Sequence, residues 1–322
     1  MKIGIIGYAG SGKTSLSVLL SGKKVESFDP HQPAVLVAKI VDLRLKRLVD
    51  KVTTEKVVFP QVTLLDFKGG TKETGFDQKT LAGLGGVDFV MMVLDGFSDG
   101  SQPASDLFSL HLEMVYYDQQ RLATIMERRE AEVEKHGHRQ PNPAEDIALK
   151  EALSLLDSET PLRLMEEESK QRKAFLESLG LISNKKALLV FNGKEASPDF
   201  SEGTERLKLP TIFWDLSLPK SDSEIFSFWQ KLLSVAGLIT FYTTSLKETR
   251  AWLLPKGSSV VEAAGKIHSD FARGFIKAEV VNFEDFQKVD SFADCRQKGF
   301  LRLEGRDYQV VDGDILKIRF AT

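Results

Sequence analysis

Cysteine is almost absent from this chain. Cys295 is the single cysteine among 322 residues. One thiol excludes an intramolecular disulfide and a metal cluster built from several cysteines. Such sparing use of cysteine is typical of proteins in a reducing cytosol, so we expect a cytoplasmic location.

The chain also lacks a strong charge imbalance and a long apolar run. Lys and Arg number 43 against 46 Asp and Glu, which leaves a formal net charge of −3. A nearly neutral chain has no general attraction for nucleic acid or an anionic membrane, so any RNA contact has to use a local patch. The longest apolar run near the middle, residues 89–94, is too short to span a bilayer. The first residues are typical of a strand rather than a signal peptide, and we expect no membrane partner.

What the sequence does contain, at its start, is a glycine-rich phosphate loop. Residues 7–14 read G-Y-A-G-S-G-K-T and match the pattern G-x-x-x-x-G-K-[ST]. An apolar stretch typical of a strand (2–6) precedes the loop, and one typical of a helix (15–20) follows it. The backbone N–H groups of such a loop surround a phosphate at a helix N-terminus. We expect Lys13 to reach the β- and γ-phosphates and Thr14 to hold Mg²⁺.

A second motif, D-x-x-G, follows the strand predicted at 62–65. Asp66 stands at the end of this strand, and Gly69 follows it. In switch-type NTPases the carboxylate supports Mg²⁺ and the glycine N–H meets the γ-phosphate. Asp and Gly are also common turn residues, so the motif is informative through its place after a strand and a phosphate loop. The catalytic candidates are Lys13, Asp66 and Gly69, and the candidate metal ligands are Thr14 and Asp66.

A third motif, N-x-x-E, predicts which base is bound. Asn192 ends the strand predicted at 186–191, and Glu195 follows in the loop. Guanine-specific switch proteins use N-K-x-D here, in which the aspartate accepts two N–H groups from guanine. The longer carboxylate of Glu195 argues against guanine and favours adenine. A polar loop without any contact to a base is the alternative interpretation. Asp215, after the next strand, is a weaker candidate for the far side of the base pocket.

The order of strands and helices predicts a doubly wound α/β domain that is interrupted by an insertion. Strand-like runs alternate with helices and turns over residues 1–103, and the pattern resumes over 184–236. Between them, residues 104–183 carry apolar side chains at helical spacing on both sides of a turn rich in Gly and Pro. These helices predict either a projecting antiparallel coiled-coil arm or an ordinary helical cap on the domain. His136 and His138 of the turn are interpreted as solvated residues rather than as a metal site.

The last segment, residues 237–322, has a different pattern. Strand-like runs flank a helix predicted at 260–271, with turn signals between them. This pattern predicts a small α+β module. Its charges are nearly balanced, so any RNA binding is expected to be modest and sensitive to salt.

These motifs and their order resemble the YchF-type (Obg-like) ATPases of the Obg family. The resemblance covers nearly the whole chain: nucleotide-binding domain, inserted coiled-coil arm, second part of that domain, and a C-terminal TGS module with a β-grasp fold. Its most specific stretches lie in the C-terminal module, at 238–243 (LITFYT), 248–252 (ETRAW), 263–271, 274–280 and 303–308. The N-x-x-E loop, which in this family goes with ATP, agrees with it.

The resemblance implies cofactors, partners and site residues. ATP would be bound with Mg²⁺, with Thr14 and Asp66 serving the metal and Asn192 with Glu195 facing adenine. The phosphate-binding residues would come from the glycine-rich loop: Gly7, Gly10, Ser11, Gly12, Lys13, Thr14 and Ser15. The family is cytosolic and associates with ribosomes, which implies the ribosome or a ribosomal subunit as partner and RNA as a possible contact of the C-terminal module.

The two switch segments depart from the family pattern. Residues 26–33, where the family has a threonine, offer only Ser27 as a hydroxyl. The glycine-rich run after Gly69 is short, and neither a glutamine nor a nearby histidine follows to orient a water molecule. Lys68 or Lys72 could supply charge, although lysines on such a loop are usually solvated. We therefore expect slow hydrolysis and, as the function, a slow adenine-nucleotide switch.

Two other functions stay open on the sequence. One is a nucleotide-regulated binding or scaffold protein with little or no hydrolysis, which the weakened switches favour. The other is a small-molecule kinase built on the same loop. The kinase is disfavoured because no acceptor pocket or arginine lid is evident and the helical and C-terminal segments would have no role. The sequence leaves the oligomeric state open.

Overall fold

The computed structural model describes residues 1–23, 32–136, 142–166, 169–195 and 197–321, with the side chains of 133–136 left out. The chain forms two compact units. The first unit comprises Met1–Ala38 and Thr63–Pro219, and the second comprises Lys39–Val62 and Lys220–Thr322.

Strands and helices of the described residues alternate along most of the chain. The strands are β1 (Lys2–Ile6), β2 (Ala34–Lys39), β3 (Val57–Val58), β4 (Gln61–Asp66), β5 (Phe89–Asp95), β6 (Lys186–Asn192), β7 (Thr211–Phe213), β8 (Leu238–Thr244), β9 (Thr249–Pro255), β10 (Phe275–Asn282), β11 (Arg302–Glu304) and β12 (Asp314–Phe320). The α-helices are α1 (Lys13–Ser21), α2 (Leu43–Val49), α3 (Gln78–Gly85), α4 (Pro103–His136), α5 (Pro143–Asp157), α6 (Lys170–Ser178), α7 (Pro198–Arg206), α8 (Asp222–Ala236), α9 (Val260–Ile267), α10 (Ser269–Arg273), α11 (Phe283–Gln287) and α12 (Phe292–Gln297).

The first unit is built on a sheet in the order β2-β4-β1-β5-β6-β7. Parallel pairing joins β4 to β1, β1 to β5, β5 to β6 and β6 to β7. Six of the seven residues of β5 are buried, as expected for a strand covered on both faces. The chain thus runs outward from β1 in both directions, which confirms the predicted doubly wound α/β fold. In such sheets ligands bind at the carboxyl ends of the strands, where the three sequence motifs lie.

The helical insertion begins as a cap on this sheet and continues beyond it. The first turns of α4 place Leu107, Leu110 and Met114 in the core cluster that contains the apolar residues of β5 and β6. Further along α4, Leu122 packs in a separate cluster with apolar residues of α5 and α6 such as Ala148 and Leu176. The first turns of α4 therefore cap the sheet, and its later part packs with α5 and α6. His138 and the side chain of His136 lie outside the described part of the chain.

The second unit is a mixed sheet in the order β11-β10-β12-β8-β9-β3. The strands β8 and β9 form an antiparallel hairpin, and β12 lies parallel to β8. On this sheet α9 buries Val260, Ala263 and Ala264 against Phe241 and Leu254. A hairpin, a helix and a returning strand beside the first strand make the expected β-grasp arrangement.

The boundary between the units differs from the one read from the sequence. Residues 39–62, assigned to the nucleotide-binding segment 1–103, belong to the second unit, as do 220–236. The reason is that α2 buries Leu45 and Leu48 in a cluster with Tyr242 and Phe283. The short strand β3 also pairs in parallel with β9. An amphipathic helix shows in sequence that it has an apolar face but not which partner covers it.

Cys295 is buried and free. Among the described residues, no helix combines the length and apolar character that a bilayer crossing requires.

Candidate nucleotide-binding site

The phosphate loop joins β1 to α1 and depends on glycine for its shape. Gly12, directly before α1, has φ of 99°, in the left-handed region that side chains disfavour. A Cβ atom at Gly12 would also lie 2.6 Å from Asn192 Nδ2. Gly10 has a positive φ of 83° as well. The loop therefore takes a path that residues with side chains adopt only under strain.

The main chain of the loop runs close to its neighbours. A Cβ atom at Gly7 would lie 2.1 Å from Val93 O and 2.9 Å from Ser11 Oγ. The hydroxyl of Ser11 is buried and has no hydrogen-bond partner. Gly10 and Ser15, by contrast, are exposed. The predicted phosphate-binding residues thus form one continuous stretch, from the loop into the first turn of α1, in which buried and exposed residues alternate.

Lys13, the first residue of α1, is folded back over the loop. Its side chain is buried, and Nζ donates a hydrogen bond of 2.9 Å to the carbonyl oxygen of Tyr8. Burial lowers the pKa of Lys13, and the negative charge of Asp66 opposes this shift. A cation held at low accessibility inside a glycine-rich loop is suited to an anionic ligand.

Asp66, at the end of β4, meets α1 through two hydroxyl groups. Its Oδ2 accepts a hydrogen bond of 2.9 Å from Thr14 Oγ1 and lies 3.1 Å from Ser17 Oγ. The carboxylate has no accessible surface, and its Oδ1 has no hydrogen-bond partner. Burial raises the pKa of Asp66, whereas Thr14, Ser17 and Lys13 lower it. Sequence reasoning missed Ser17, although its place one helical turn after Thr14 is a usable signal.

These residues fit a magnesium–nucleotide complex. A buried carboxylate oxygen without a partner costs free energy unless a cation or donor meets it, and Asp66 Oδ1 is such an atom. Mg²⁺ is usually held through one or two carboxylates together with substrate phosphates. No cluster of three or more His, Cys, Asp or Glu side chains forms a metal cage within the described residues. The donor set of Thr14 and Asp66 therefore suits a metal that is shared with a phosphate ligand.

Gly69 brings the second motif against the phosphate loop. A Cβ atom at Gly69 would lie 2.7 Å from Lys13 Nζ and 2.8 Å from Ala9 N. The adjacent Gly70 accepts a hydrogen bond of 2.9 Å from Ala9 N through its carbonyl oxygen. Residue 69 must therefore be glycine, because any side chain would displace the lysine or the loop.

The base-loop motif is brought to the same edge only in part. Asn192 is buried, and its Nδ2 donates a hydrogen bond of 3.1 Å to Ser11 O. Its Oδ1 accepts one of 3.0 Å from Leu216 N, in the loop after β7. Asn192 thus joins the phosphate loop to that second loop. Glu195 is exposed.

The remaining candidates from the switch segments have other positions. Lys72 forms an ion pair of 2.9 Å with Asp106, so its ammonium group is engaged by α4. Lys68 is exposed. Most of the first switch segment, including Ser27, lies outside the described residues.

Known proteins resemble this chain in sequence and in fold. The sequence profile of the YchF-GTPase_C family, described as a protein of unknown function (DUF933), matches residues 238–321. The ribosome-binding ATPase YchF of Bacillus subtilis (strain 168) is 29% identical, over 98% of each chain. The protein of that name from Escherichia coli O157:H7 is 26% identical, over 99% of each chain. The solved structure of the Schizosaccharomyces pombe YchF GTPase superposes with a TM-score of 0.79 at 19% identity, covering 99% of this chain and 97% of that one.

Proposed function

We propose, since this chain belongs to the YchF family of Obg-like P-loop proteins, that it is a slow, Mg²⁺-dependent ATPase that acts as a switch on the ribosome. The curated relatives named above are called ribosome-binding ATPases, which supports both the nucleotide and the partner. A cytoplasmic location and a TGS role for the C-terminal module are part of the proposal.

The observation that carries the proposal is the unpaired oxygen of Asp66. Thr14 and Ser17 engage Oδ2, while Oδ1 is buried without a partner. Thr14 and Asp66 would hold Mg²⁺, which neutralises the charge that develops on the phosphates. Lys13 would bind the β- and γ-phosphates, and the backbone N–H groups of residues 10–15 would surround them.

Asn192 and Glu195 would contribute to the choice of adenine. Asn192 fixes the loop after β6 against the phosphate loop through Ser11. This contact orients the loop that carries Glu195. The solved relative is titled a GTPase, whereas the curated relatives are called ATPases. The base is therefore the sharpest point at which the proposal can be tested.

Calorimetric titration with ATP and with GTP, each with Mg²⁺, tests binding and base choice together. We expect ATP to bind at least about tenfold more tightly, which corresponds to about 1.4 kcal/mol. Lys13→Ala is expected to abolish this binding. Lys173→Ala, which removes an exposed lysine on α6, is the matched control and should bind as the wild type does. Equal affinities for ATP and GTP, or retention of ATP by Lys13→Ala, would contradict the proposal.

A nucleotide-regulated scaffold with no turnover is the second candidate function. The observation that favours it is that the residue after Gly69 is Gly70, which has no side chain to orient a water molecule. Lys72, which could otherwise supply charge, is paired with Asp106. Single-turnover phosphate release with and without ribosomes distinguishes the two functions. Slow release that ribosomes accelerate supports the ATPase, whereas no release in either condition supports the scaffold.

The ribosomal partner is tested by co-sedimentation with ribosomal particles under ATP, ADP and a non-hydrolysable ATP analogue. A switch requires that the bound fraction depend on the nucleotide, because a ligand shifts a conformational equilibrium only through its different affinity for the two states. Equal sedimentation under all three nucleotides would refute the switch.

A further inference from the structure

We infer that Glu113 on α4 is a positioning residue that ties the second switch segment, residues 69–76, to the phosphate loop and so lets the helical insertion respond to the bound nucleotide. The inference rests on the proposed function and deepens it, because it names the contact through which the site acts on the insertion.

One carboxylate makes the connection. Glu113 Oε2 accepts a hydrogen bond of 2.7 Å from Phe76 N, at the end of the switch segment. Glu113 Oε1 accepts one of 3.0 Å from the hydroxyl of Tyr8, which lies in the phosphate loop 105 positions away along the chain. Hydrogen bonds to an ionised acceptor are about twice as strong as neutral ones. A single side chain of α4 therefore holds both parts of the site that are expected to meet the terminal phosphate.

Tyr8 connects Lys13 to the carboxylate of Glu113 through two hydrogen bonds. The carbonyl oxygen of Tyr8 accepts the hydrogen bond from Lys13 Nζ, while its hydroxyl group donates to Glu113. The ring is buried and stacks at a tilt on Phe76, with the ring centroids 5.4 Å apart. Burial and the charge of Glu113 raise the pKa of Tyr8, so the hydroxyl remains a donor. A change in the partner of Lys13 therefore acts on a residue whose side chain is held by α4.

A second contact lies on the same face of α4. Asp106, two turns before Glu113, is nearly buried and pairs with Lys72 of the switch segment at 2.9 Å. Gly75 has a positive φ of 67°, and a Cβ atom there would lie 2.6 Å from Glu113 Oε2. Glycine at this position thus permits the close approach of the segment to the helix. Asp106 and Glu113 together hold the segment along α4.

Apart from these contacts with α4, the switch segment is held at its start, where Gly70 O accepts a hydrogen bond of 2.9 Å from Ala9 N. Residues 71–74 are exposed, and hydrogen bonds between Thr71 and Gly75 close the segment on itself. Its buried end, Phe76, is the residue that Glu113 binds. Exposed segments with few buried contacts are the ones that rearrange on nucleotide binding. Since α4 continues into the cluster with α5 and α6, a displacement at Glu113 is passed to the far part of the insertion.

Hydrogen exchange of the full-length protein tests this coupling. Exchange in residues 69–76 and in α4 is compared under ADP and under a non-hydrolysable ATP analogue, for the wild type, Glu113→Ala and Glu127→Ala. Glu127 is an exposed glutamate on the same helix and serves as the matched control. We expect both segments to respond to the nucleotide in the wild type and in Glu127→Ala. In Glu113→Ala the response of residues 69–76 should persist and that of α4 should be lost.

Glu113→Gln covers the case in which the alanine variant does not fold. The amide keeps an acceptor for Phe76 N but removes the charge, so the α4 response should fall severalfold and unfolding should be little changed. An α4 response of wild-type size in either variant would overturn the inference. A wild type that binds ATP with no response in α4 would overturn the inference alone. A wild type that does not bind ATP would overturn the proposed function and this inference together.

Discussion

Two carboxylates of the first unit, Asp66 and Asp118, share the same burial and differ in how their oxygens are used. Both have no accessible surface, and burial raises the pKa of both. Asp118, on α4, accepts hydrogen bonds from Ile182 N at 2.9 Å, Ser183 N at 2.7 Å and Ser183 Oγ at 2.6 Å, so both of its oxygens are engaged. Asp66 has one oxygen engaged by hydroxyl groups and one without a partner.

The difference separates a structural carboxylate from one that is ready for a ligand. The bonds to Asp118 come largely from backbone N–H groups at the entry to β6, and these groups would be left unpaired without it. The hydroxyl donors of Asp66 sit on α1, directly after the phosphate loop. A buried carboxylate with hydrogen bonds to both oxygens indicates a contact that stabilises the fold. A buried carboxylate with one unpaired oxygen beside a buried lysine indicates a binding site.

Among the substitutions that test this comparison, Asp118→Ala is expected to have the largest effect. This substitution leaves two buried backbone N–H groups without an acceptor, so the free energy of unfolding should fall by about 3 kcal/mol. Urea unfolding measures it, with the exposed Asp99→Ala as the control. A loss of less than about 1 kcal/mol, typical of surface positions, would mean that Asp118 is not a structural carboxylate.

Asp66→Asn should weaken ATP binding and leave the free energy of unfolding nearly unchanged, in contrast to Asp118→Ala. The amide replaces a desolvated carboxylate, so the free energy of unfolding should change by less than about 1 kcal/mol. The affinity for ATP with Mg²⁺ should fall by at least about tenfold, because the metal loses its anionic ligand. Calorimetry with and without Mg²⁺ measures the loss. A variant that is destabilised as much as Asp118→Ala and still binds ATP normally would reverse the assignment.

The pH dependence of stability sharpens the comparison further. The pKa of Asp118 is raised in the folded protein, so the folded state holds its proton at pH values where the unfolded state has released it. The part of its contribution to stability that depends on this proton is therefore complete below the unfolded pKa of about 3.9 and is lost as the pH rises through the raised value. Urea unfolding of the wild type and of Asp118→Asn is measured from below the unfolded pKa of Asp118 to above its raised pKa. As the pH rises, the wild type should lose free energy of unfolding relative to Asp118→Asn. A difference independent of pH would contradict the raised pKa.

The smallest effect is expected for Ser17→Ala. Ser17 Oγ lies near both Asp66 Oδ2 and Thr14 O, so the hydroxyl supports the carboxylate without occupying a phosphate or metal position. Loss of this one hydrogen bond should cost about 1 kcal/mol of stability or less and weaken ATP binding by no more than about threefold. Thr14→Ala is the comparison variant. If Ser17→Ala weakens binding as much as Thr14→Ala does, Ser17 belongs among the metal ligands.

The part of the site that is formed by residues near the start of the chain could be predicted from local sequence patterns. The contact between Thr14 and Asp66 follows from two motifs at the carboxyl ends of neighbouring parallel strands. The positive φ of Gly12 follows from a tight strand-to-helix turn. Each of these motifs occupies a few adjacent residues next to a strand, and so the sequence reveals it.

Partners far apart in the chain could not be predicted in the same way. Glu113 is one of many charged residues on an amphipathic helix, and nothing in its surroundings indicates Tyr8 or Phe76. The grouping of residues 39–62 with the second unit was not predicted for the same reason, because the apolar face of α2 does not specify which residues cover it. The roles of the site residues themselves stay predictions until binding is measured.

The interleaving of the two units has a consequence for how the protein is made. Leu45 and Leu48 leave the translating ribosome well before Tyr242 and Phe283, the side chains that cover them, have been synthesised. The nascent chain thus carries an exposed apolar helix until translation is nearly finished. A C-terminal fragment that begins at residue 237 would lack α2 and β3. The apolar side chains that α2 covers would then be exposed to solvent, and the edge of β9 that pairs with β3 would be open to aggregation.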